Sequence, residues 1–230
     1  MGYILLAGGA EFGGTMAIAD RRAIELAGGV NARMSIVPTA AAPDKNHERA
    51  GRNGVDWFKK LGAVDVSVVP LIDRKSADDA KIVETLLGSK LIYMPGGFPR
   101  HLGQSLSGSK SWQAMMAAHQ SGAVIAGSSA GAMILCDHYY DPFEDKIFRG
   151  LGLIGDACLI PHHNTFGRNW SRQLTQQLYG VILIGIDEKT CIINDGPAGQ
   201  WQVYGTGRIT RYRNDRIAQF SAGKPFDFKD

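Results

Sequence analysis

A serine flanked by small residues stands at the centre of the segment Gly-Ser-Ser-Ala-Gly, residues 127–131, which has the form G-x-S-x-G. An apolar run, residues 123–126, precedes it, and a run compatible with a helix, residues 130–136, follows it. A strand, a sharp turn and a helix in this order make a nucleophile elbow, which lifts one hydroxyl clear of the sheet edge. The N–H groups at the start of the helix point to the same spot, where they can stabilise an oxyanion. The pattern predicts a serine hydrolase with Ser129 as its nucleophile.

A serine hydroxyl is a poor nucleophile at neutral pH, so the predicted site needs a histidine base and an acid that orients the histidine. Among the six histidines of the chain, His162 and His163 follow a strand-like segment, residues 156–161. Catalytic groups of open α/β sheets collect at the carboxyl ends of the strands, where Ser129 is also expected. We therefore expect either His162 or His163 to be the base.

The acid is expected in the acidic segment between the serine and the two histidines. That segment contains four carboxylates, which the sequence alone separates poorly: Asp137, Asp141, Glu144 and Asp145. The order serine, acid, histidine also occurs in α/β hydrolases, whose histidine normally follows the last strands of the sheet. Here His162 comes 33 positions after Ser129 (162 − 129), with more sheet still to come. This spacing indicates a different and more compact way of assembling a triad.

A second donor to the oxyanion is expected from the turn Pro-Gly-Gly, residues 95–97, which follows another apolar strand-like segment. Glycines at a strand end allow a backbone N–H to face the site without a Cβ in the way. The N–H groups of Gly97 and Ala130 are therefore the predicted oxyanion hole.

Strand-like and helix-like segments alternate along the chain from residue 3 to the serine turn. The strand-like segments are continuously apolar, which is typical of a parallel sheet with helices on both faces. After residue 190 short strands and turns take over, and these are expected as antiparallel hairpins at the sheet edge. With no visible linker or repeat, the 230 residues predict one domain, residues 1–230. Its expected fold is a three-layer α/β/α arrangement around a mostly parallel, doubly wound sheet.

Composition argues against several other classes of protein. Hydrophobic residues make up 44% and charged residues 20% of the chain, which is ordinary for a globular protein. The net charge is only +3 and the basic residues are scattered, so no nucleic-acid partner is expected. No segment approaches the length of a membrane span, so no membrane partner is expected either. Three widely spaced cysteines in apolar runs predict no disulfide framework and favour a reducing cytoplasm.

No cofactor and no metal are expected. The glycine pairs at residues 8–9 and 13–14 do not have the G-x-G-x-x-G spacing, so this segment is interpreted as a turn and not as a dinucleotide loop. The adjacent His162 and His163 lack a third ligand at a spacing that suits a metal ion.

Four motifs together resemble the serine peptidases of the cyanophycinase and aspartyl dipeptidase family. They are G-S-S-A-G-A at residues 127–132, P-G-G at 95–97, I-P-H-H-N at 160–164 and G-I-D-E at 185–188. The resemblance implies the fold of class I glutamine amidotransferases, with serine in place of their cysteine. It also implies cleavage of peptide or isopeptide bonds next to acidic residues of small peptides, without a metal. It places the nucleophile at Ser129, the base at His162 and the acid at Glu144, and it assigns no chemistry to Glu188.

The chain departs from this family at positions that bind substrate. Family members usually follow the paired glycines with Asn or Asp and then Thr or Gln, whereas residues 98–100 here are Phe-Pro-Arg. Phe98 indicates a more apolar or differently shaped pocket, and His163 stands where the family usually has an aromatic residue. Arg100 and Arg168 are the candidates for binding a substrate carboxylate through a bidentate pair.

Two other functions stay open from the sequence. A glutaminase-like amidohydrolase is suggested by the shared fold, although serine in place of cysteine counts against it. A catalytically silent relative that serves as a binding or sensor module is suggested by the altered glycine turn. A homodimer is possible, although no clear apolar stripe marks its interface.

Overall fold

The structure is a computed structural model, and it describes residues 1–214 and 216–228. Within them the strands, in chain order, are β1 (Ile4–Ala7), β2 (Met34–Ile36), β3 (Val66–Val68), β4 (Leu91–Met94), β5 (Val124–Ser128), β6 (Cys136–Asp141), β7 (Lys146–Arg149), β8 (Ile154–Ile160), β9 (Ile182–Ile186), β10 (Thr190–Ile193), β11 (Trp201–Gly205), β12 (Arg208–Arg213), β13 (Arg216–Ser221) and β14 (Pro225–Phe226). The α-helices are α1 (Ala17–Leu26), α2 (His47–Lys60), α3 (Ala80–Leu87), α4 (Pro99–Leu106), α5 (Lys110–Gln120), α6 (Ala130–Met133) and α7 (Ser171–Gln177).

The larger sheet has the strand order β14-β11-β10-β1-β5-β4-β2-β3. Strands β1 to β5 run parallel, and β10, β11 and β14 add an antiparallel edge. Successive residues of β1 face opposite cores: Leu5 and Ala7 pack with α1 and α2, whereas Ile4 and Leu6 pack with α3, α4 and α5. This burial on both faces explains the continuously apolar strands. The predicted fold, a mostly parallel sheet flanked by helices with antiparallel strands toward the C-terminus, is confirmed.

A second sheet, with the order β13-β12-β9-β8-β6-β7, is not part of the predicted architecture. Its central strands β6, β8 and β9 are parallel. One face joins the core around α4 and α6, through residues such as Tyr139 and Leu159, and the other face packs against Leu174 of α7. The predicted helix over residues 130–136 ends at Met133, and Cys136 already begins β6. An apolar run of this length has no periodicity that separates a buried helix from a buried strand.

All three cysteines are free and buried. Burial raises the pKa of the Cys158 thiol to about 12 and raises those of Cys136 and Cys191 as well, so the thiols stay protonated at neutral pH. In the part of the chain that the structure describes, no helix is long and apolar enough to cross a membrane.

A buried carboxyl group, Asp20, lies between α1 and α2. One of its oxygens accepts a hydrogen bond from the Trp57 indole N–H at 2.8 Å, and the other has no hydrogen-bond partner among the described residues. Burial raises the pKa of Asp20 to about 7; the Trp57 hydrogen bond opposes this shift and the charge of Glu11 adds to it. The folded state therefore holds a proton that the unfolded chain releases near pH 4.

This raised pKa makes stability depend on pH. As pH rises from about 4 to about 7, the unfolded state loses the proton first, so the free energy of unfolding falls by up to about 1.4 kcal/mol per pH unit. Asp20→Asn has no proton to lose, so its free energy of unfolding is expected to fall less over this range. Urea unfolding of both proteins across the range measures the difference, with Asp56→Asn on α2 as an exposed control. Parallel profiles for Asp20→Asn and the unchanged protein would contradict the assignment.

Candidate active site

The candidate site lies where the carboxyl ends of strands from both sheets meet. In the larger sheet β5 lies between β1 and β4; Ser129 follows β5, and the turn of residues 95–97 follows β4. In the second sheet β8 and β9 are parallel neighbours, and they are followed by His162 and Glu188. Parallel strands bring the residues at their carboxyl ends to one edge. Two sheets therefore contribute to one site.

Backbone hydrogen bonds join the loops of the two sheets. The His162 N–H donates to the Gly8 carbonyl at 2.7 Å, and the Lys189 N–H donates to the Gly9 carbonyl at 3.0 Å. The Gly8 N–H in turn donates to the Thr190 carbonyl at 3.0 Å. The turn after β1 thereby holds the loops that carry His162 and Glu188.

Ser129 lies in a strained turn between β5 and α6. Its φ of 49° and ψ of −115° place it in a left-handed region that a side chain rarely adopts, at a cost of about 1–3 kcal/mol. The Ser129 N–H donates to the Ala7 carbonyl at 3.0 Å, which anchors the turn to β1. A Cβ at Gly131 would lie 2.0 Å from the Met94 carbonyl oxygen, so α6 packs this closely against β4 only with glycine there. The turn thus presents the serine hydroxyl at the strand end.

Ser129, His162 and Glu188 form a continuous chain of contacts. The His162 Nε2 lies 3.0 Å from the Ser129 Oγ, and the His162 Nδ1 lies 2.8 Å from the Glu188 Oε1. The Phe166 ring stacks on the imidazole, with ring centroids 4.8 Å apart. The His162 side chain is 20% exposed and lines the smaller of the two cavities beside the site, of about 270 Å³. A hydroxyl, an imidazole and a carboxylate in this order are the arrangement of a nucleophilic triad.

The segment after His162 makes hydrogen bonds to the backbone of both His162 and Glu188. The Asn164 side-chain oxygen accepts a hydrogen bond from the Glu188 N–H at 2.9 Å. The Thr165 hydroxyl donates to the His162 carbonyl at 3.0 Å. The motif I-P-H-H-N thus contains the imidazole and also a residue that fixes the loop of the carboxylate.

The structure does not bring Glu144 to His162, which corrects the prediction that Glu144 orients the histidine; the carboxylate that contacts His162 is that of Glu188. The Glu144 carboxylate forms an ion pair with the Arg100 Nε at 2.8 Å. Glu144 lies in the turn between β6 and β7, whereas Glu188 follows the strand that neighbours β8. The order of residues in the chain favours an acid between Ser129 and His162, whereas the pairing of β8 with β9 brings a later residue closer in space.

The other candidate acids have structural partners of their own. The Asp141 carboxylate accepts the N–H groups of residues 143 and 144, which closes the turn between β6 and β7. The Asp145 carboxylate accepts the Tyr140 hydroxyl at 2.7 Å, and this hydrogen bond lowers the pKa of Asp145. The Asp137 carboxylate accepts the Asp156 N–H at 2.8 Å. These carboxylates hold the hairpin and the strands of the second sheet.

The two predicted oxyanion donors lie beside Ser129. Gly97 has a φ of 145°, and a Cβ there would lie 2.3 Å from the Ala40 carbonyl oxygen, so the turn requires glycine. Ala130 immediately follows the serine. Within residues 1–214 and 216–228, neither of their N–H groups donates a backbone hydrogen bond to a neighbouring loop. Both amides therefore remain free to donate to a substrate oxygen.

Glu11 is a further residue of the candidate site, and it is not among the residues predicted from the sequence. Its Oε1 accepts the Gly96 N–H at 2.9 Å, and its Oε2 accepts the Ser128 hydroxyl at 2.9 Å. One carboxylate thereby holds the glycine turn after β4 and the residue before Ser129 together. A single glutamate in a glycine-rich turn carries no local signal of this role.

One cavity borders the serine, and a second lies on the other side of the glycine turn. The smaller one, here called the apolar pocket, has a volume of about 270 Å³ and lies beside Ser129 and His162. Its walls are apolar and include Pro99, Met133, Phe143, Phe166 and Trp170. The larger one, here called the polar basin, has a volume of about 790 Å³ and lies beyond Gly96 and Gly97. Its walls include charged residues of both signs, namely Glu11, Asp44, Arg49, Asp56 and Lys60.

The four residues predicted to bind substrate have different surroundings. Phe98 stacks on Phe143, with ring centroids 4.8 Å apart and planes 22° apart. Arg100 is paired with Glu144, and its guanidinium also lies 3.7 Å from the centre of the Phe148 ring. Arg168 is exposed and lines neither cavity.

His163 lines neither cavity. Its side chain is buried, and its Nε2 lies 2.8 Å from the Tyr212 hydroxyl on β12. Burial lowers the pKa of His163, and the charge of nearby Asp187 opposes this shift. His163 therefore belongs to the packing of the second sheet, and its prediction as a substrate-binding residue is corrected. Among residues 1–214 and 216–228, the structure contains no group of three or more His, Cys, Asp or Glu side chains that could hold a metal ion.

Comparison with known proteins finds relatives among peptidases. The chain is 25% identical over 198 residues to a cyanophycinase of Synechococcus elongatus, covering 80% of this chain and 59% of that protein. It is 26% identical over 212 residues to a cyanophycinase of Geminocystis herdmanii, covering 86% of this chain and 75% of the relative. The chain thus spans less than two thirds of the length of the first of these relatives.

Solved structures show the same fold. A peptidase from an acI-B1 Actinobacterium superposes with a TM-score of 0.88 at 29% identity, covering 99% of this chain and 97% of the other. A putative peptidase E protein from Listeria monocytogenes EGD-e superposes with a TM-score of 0.63 at 16% identity, covering 97% of this chain and 100% of the other. At this identity the likeness shows the fold alone. The family model of peptidase family S51 matches residues 4–200. Since this match covers most of the 230 residues, the chain belongs to peptidase family S51.

Proposed function

We propose that this protein is a serine peptidase that hydrolyses small peptides through Ser129, His162 and Glu188. The observation that carries the proposal is the pair of contacts of the His162 imidazole, 3.0 Å to the serine hydroxyl and 2.8 Å to the carboxylate. Membership of a peptidase family supports the same reaction class. The three buried, free cysteines support a cytoplasmic location.

The proposed reaction begins with attack of the Ser129 Oγ on the carbonyl carbon of the scissile amide. The His162 Nε2 takes the hydroxyl proton, while the Glu188 carboxylate accepts the Nδ1–H and stabilises the imidazolium. Negative charge develops on the carbonyl oxygen, and the N–H groups of Gly97 and Ala130 stabilise it. The Nε2 proton then passes to the leaving amine as the carbon–nitrogen bond breaks.

The second half of the proposed reaction hydrolyses the acyl-enzyme. The His162 Nε2 takes a proton from water, and the hydroxide attacks the ester that joins the substrate to Ser129. The ester bond breaks, Ser129 regains its proton from His162, and the carboxylic acid product leaves. No step needs a metal ion.

A fluorophosphonate probe tests the proposal because its phosphorus accepts the same attack from an activated serine, with loss of fluoride. One adduct per chain is expected, and peptide mass spectrometry should map it to Ser129. Ser129→Ala, checked for its fold by circular dichroism, should carry no adduct, and urea-unfolded protein should not react. A folded, unreactive wild-type chain would instead favour the catalytically silent module.

A glutaminase-like reaction makes a different prediction about the substrate. An amidohydrolase of this kind would release ammonia from free glutamine. A coupled ammonia assay separates the two reactions, and the peptidase proposal expects no ammonia from glutamine. Rapid release of ammonia from glutamine, without hydrolysis of peptides, would contradict the peptidase proposal and support a glutaminase-like amidohydrolase.

A further inference from the structure

The apolar pocket lies directly beside the two groups that are proposed to react. Ser129 and His162 form part of its wall, together with Met133 of α6 and the aromatic rings of Phe166 and Trp170. Its volume of about 270 Å³ suits one large side chain and is too small for a folded segment. A group held there is therefore the side chain of a residue next to the scissile bond.

The turn between β6 and β7 builds the outer wall of this pocket. Phe143 in that turn is 69% exposed, yet it stacks on Phe98 of the segment after the glycine turn. The ion pair between Arg100 and Glu144 connects the same two segments at 2.8 Å. Two independent contacts thus hold an aromatic ring at the pocket.

Among the described residues that line the pocket, no Lys or Arg is present to bind a carboxylate. Of the residues that line it, His162 is the one that can carry a positive charge, and it is already engaged by Ser129 and Glu188. Arg100, one of the two candidates from the sequence, is paired with Glu144 and covered on one face by Phe148; Arg168, the other candidate, is exposed and does not line the pocket. A carboxylate that entered this pocket would lose its hydration without gaining a charged partner, which is unfavourable.

We propose that the apolar pocket binds an uncharged aliphatic or aromatic side chain next to the scissile bond, so that the preferred substrates are apolar small peptides and not acidic ones. This inference rests on the proposed function. Burial of a large apolar side chain stabilises the bound peptide through removal of apolar surface from water. The polar basin beyond Gly96 and Gly97 has a different chemistry, so the preference concerns one side of the scissile bond.

The dipeptides Phe-Ala, Ala-Phe, Asp-Ala and Ala-Asp test the preference at both positions. We expect kcat/KM for one of the two Phe peptides to exceed that of both Asp peptides by at least about tenfold, the size of effect that one apolar contact gives. Equal rates, or faster cleavage of an Asp peptide, overturn the pocket assignment. Fluorophosphonate labelling of Ser129 with no cleavage of either Phe peptide overturns it as well. Absence of both labelling and cleavage contradicts the proposed function itself.

A charge placed in the pocket wall gives a second test. Phe143→Arg should lower kcat/KM for the preferred Phe peptide by about tenfold and raise it for the Asp peptide that has its acid at the same position. The matched control is Tyr179→Arg, which also replaces an exposed aromatic residue, 81% exposed, and which lies in neither cavity. Tyr179→Arg should leave the ratio of the two rates unchanged. An unchanged ratio in Phe143→Arg overturns the proposal.

Discussion

Replacement of Glu188 with glutamine is expected to lower kcat by about 10⁴-fold, the size of effect known when the carboxylate of a triad becomes an amide. The Glu188 carboxylate accepts the Nδ1–H of His162, which leaves the Nε2 free to take the serine proton. A glutamine amide can donate to the Nδ1 instead, and the proton then resides on the Nε2. Steady-state hydrolysis of the best dipeptide, together with thermal unfolding to confirm the fold, measures the effect.

Glu144→Gln is the matched control for this prediction, because it makes the same chemical change in the residue that the family resemblance favoured. Glu144 pairs with Arg100 near the surface, where such pairs contribute at most about 1 kcal/mol. The kcat of Glu144→Gln is therefore expected to stay within about fivefold of the kcat of the unchanged protein. A large loss in Glu144→Gln with full activity in Glu188→Gln would return the role of the acid to Glu144.

Replacement of Glu11 with alanine is expected to lower kcat by about 10²-fold with little change in KM. The Glu11 carboxylate accepts the Gly96 N–H and the Ser128 hydroxyl, so it fixes the peptide before Gly97 and the residue before Ser129. Without it the Gly97 amide is no longer held in place, and loss of one oxyanion donor costs about 10²–10³-fold in kcat. Glu11 acts through these residues and is a positioning residue.

Glu11→Gln and Asp56→Asn make this prediction specific. Glutamine keeps one oxygen acceptor, so Glu11→Gln should recover part of kcat. Asp56 lines the same polar basin, and Asp56→Asn should show wild-type kinetics. If kcat in Glu11→Ala is unchanged, or if KM rises while kcat stays constant, Glu11 contributes to substrate binding or stability and does not position the oxyanion donors.

Local patterns in the sequence were sufficient to predict the central layer of the fold. Strands such as residues 91–94 are buried on both faces, and their continuous apolar character reflects this directly. The second sheet was harder to predict because its first strand follows α6 within one uninterrupted apolar run, residues 130–136. Tertiary packing, and not local preference, decides where that run changes from helix to strand.

In the candidate site too, some residues can be predicted from local sequence patterns and others cannot. Ser129 and His162 each follow a strand that can be recognised from the sequence. In the structure the His162 Nε2 lies 3.0 Å from the Ser129 Oγ. Glu188 lies next to His162 because β8 pairs with β9. This pairing joins segments that are distant in the chain, so no local sequence pattern indicates it. Glu11 is connected to Ser128 across 117 positions of the chain, and nothing local marks it.

The hydrogen bonds between the turn after β1 and the loops of the second sheet determine the stage of synthesis at which the proposed site can assemble. A nascent chain that has emerged as far as residue 170 contains Ser129 and His162, but it lacks Glu188 and the strand β10 that pairs with β1. Long-range contacts of this kind form late in folding because they require closure of large loops. Under the proposed mechanism, catalysis therefore requires the chain as far as β10, and a shorter chain holds Ser129 and His162 without the carboxylate that orients the histidine.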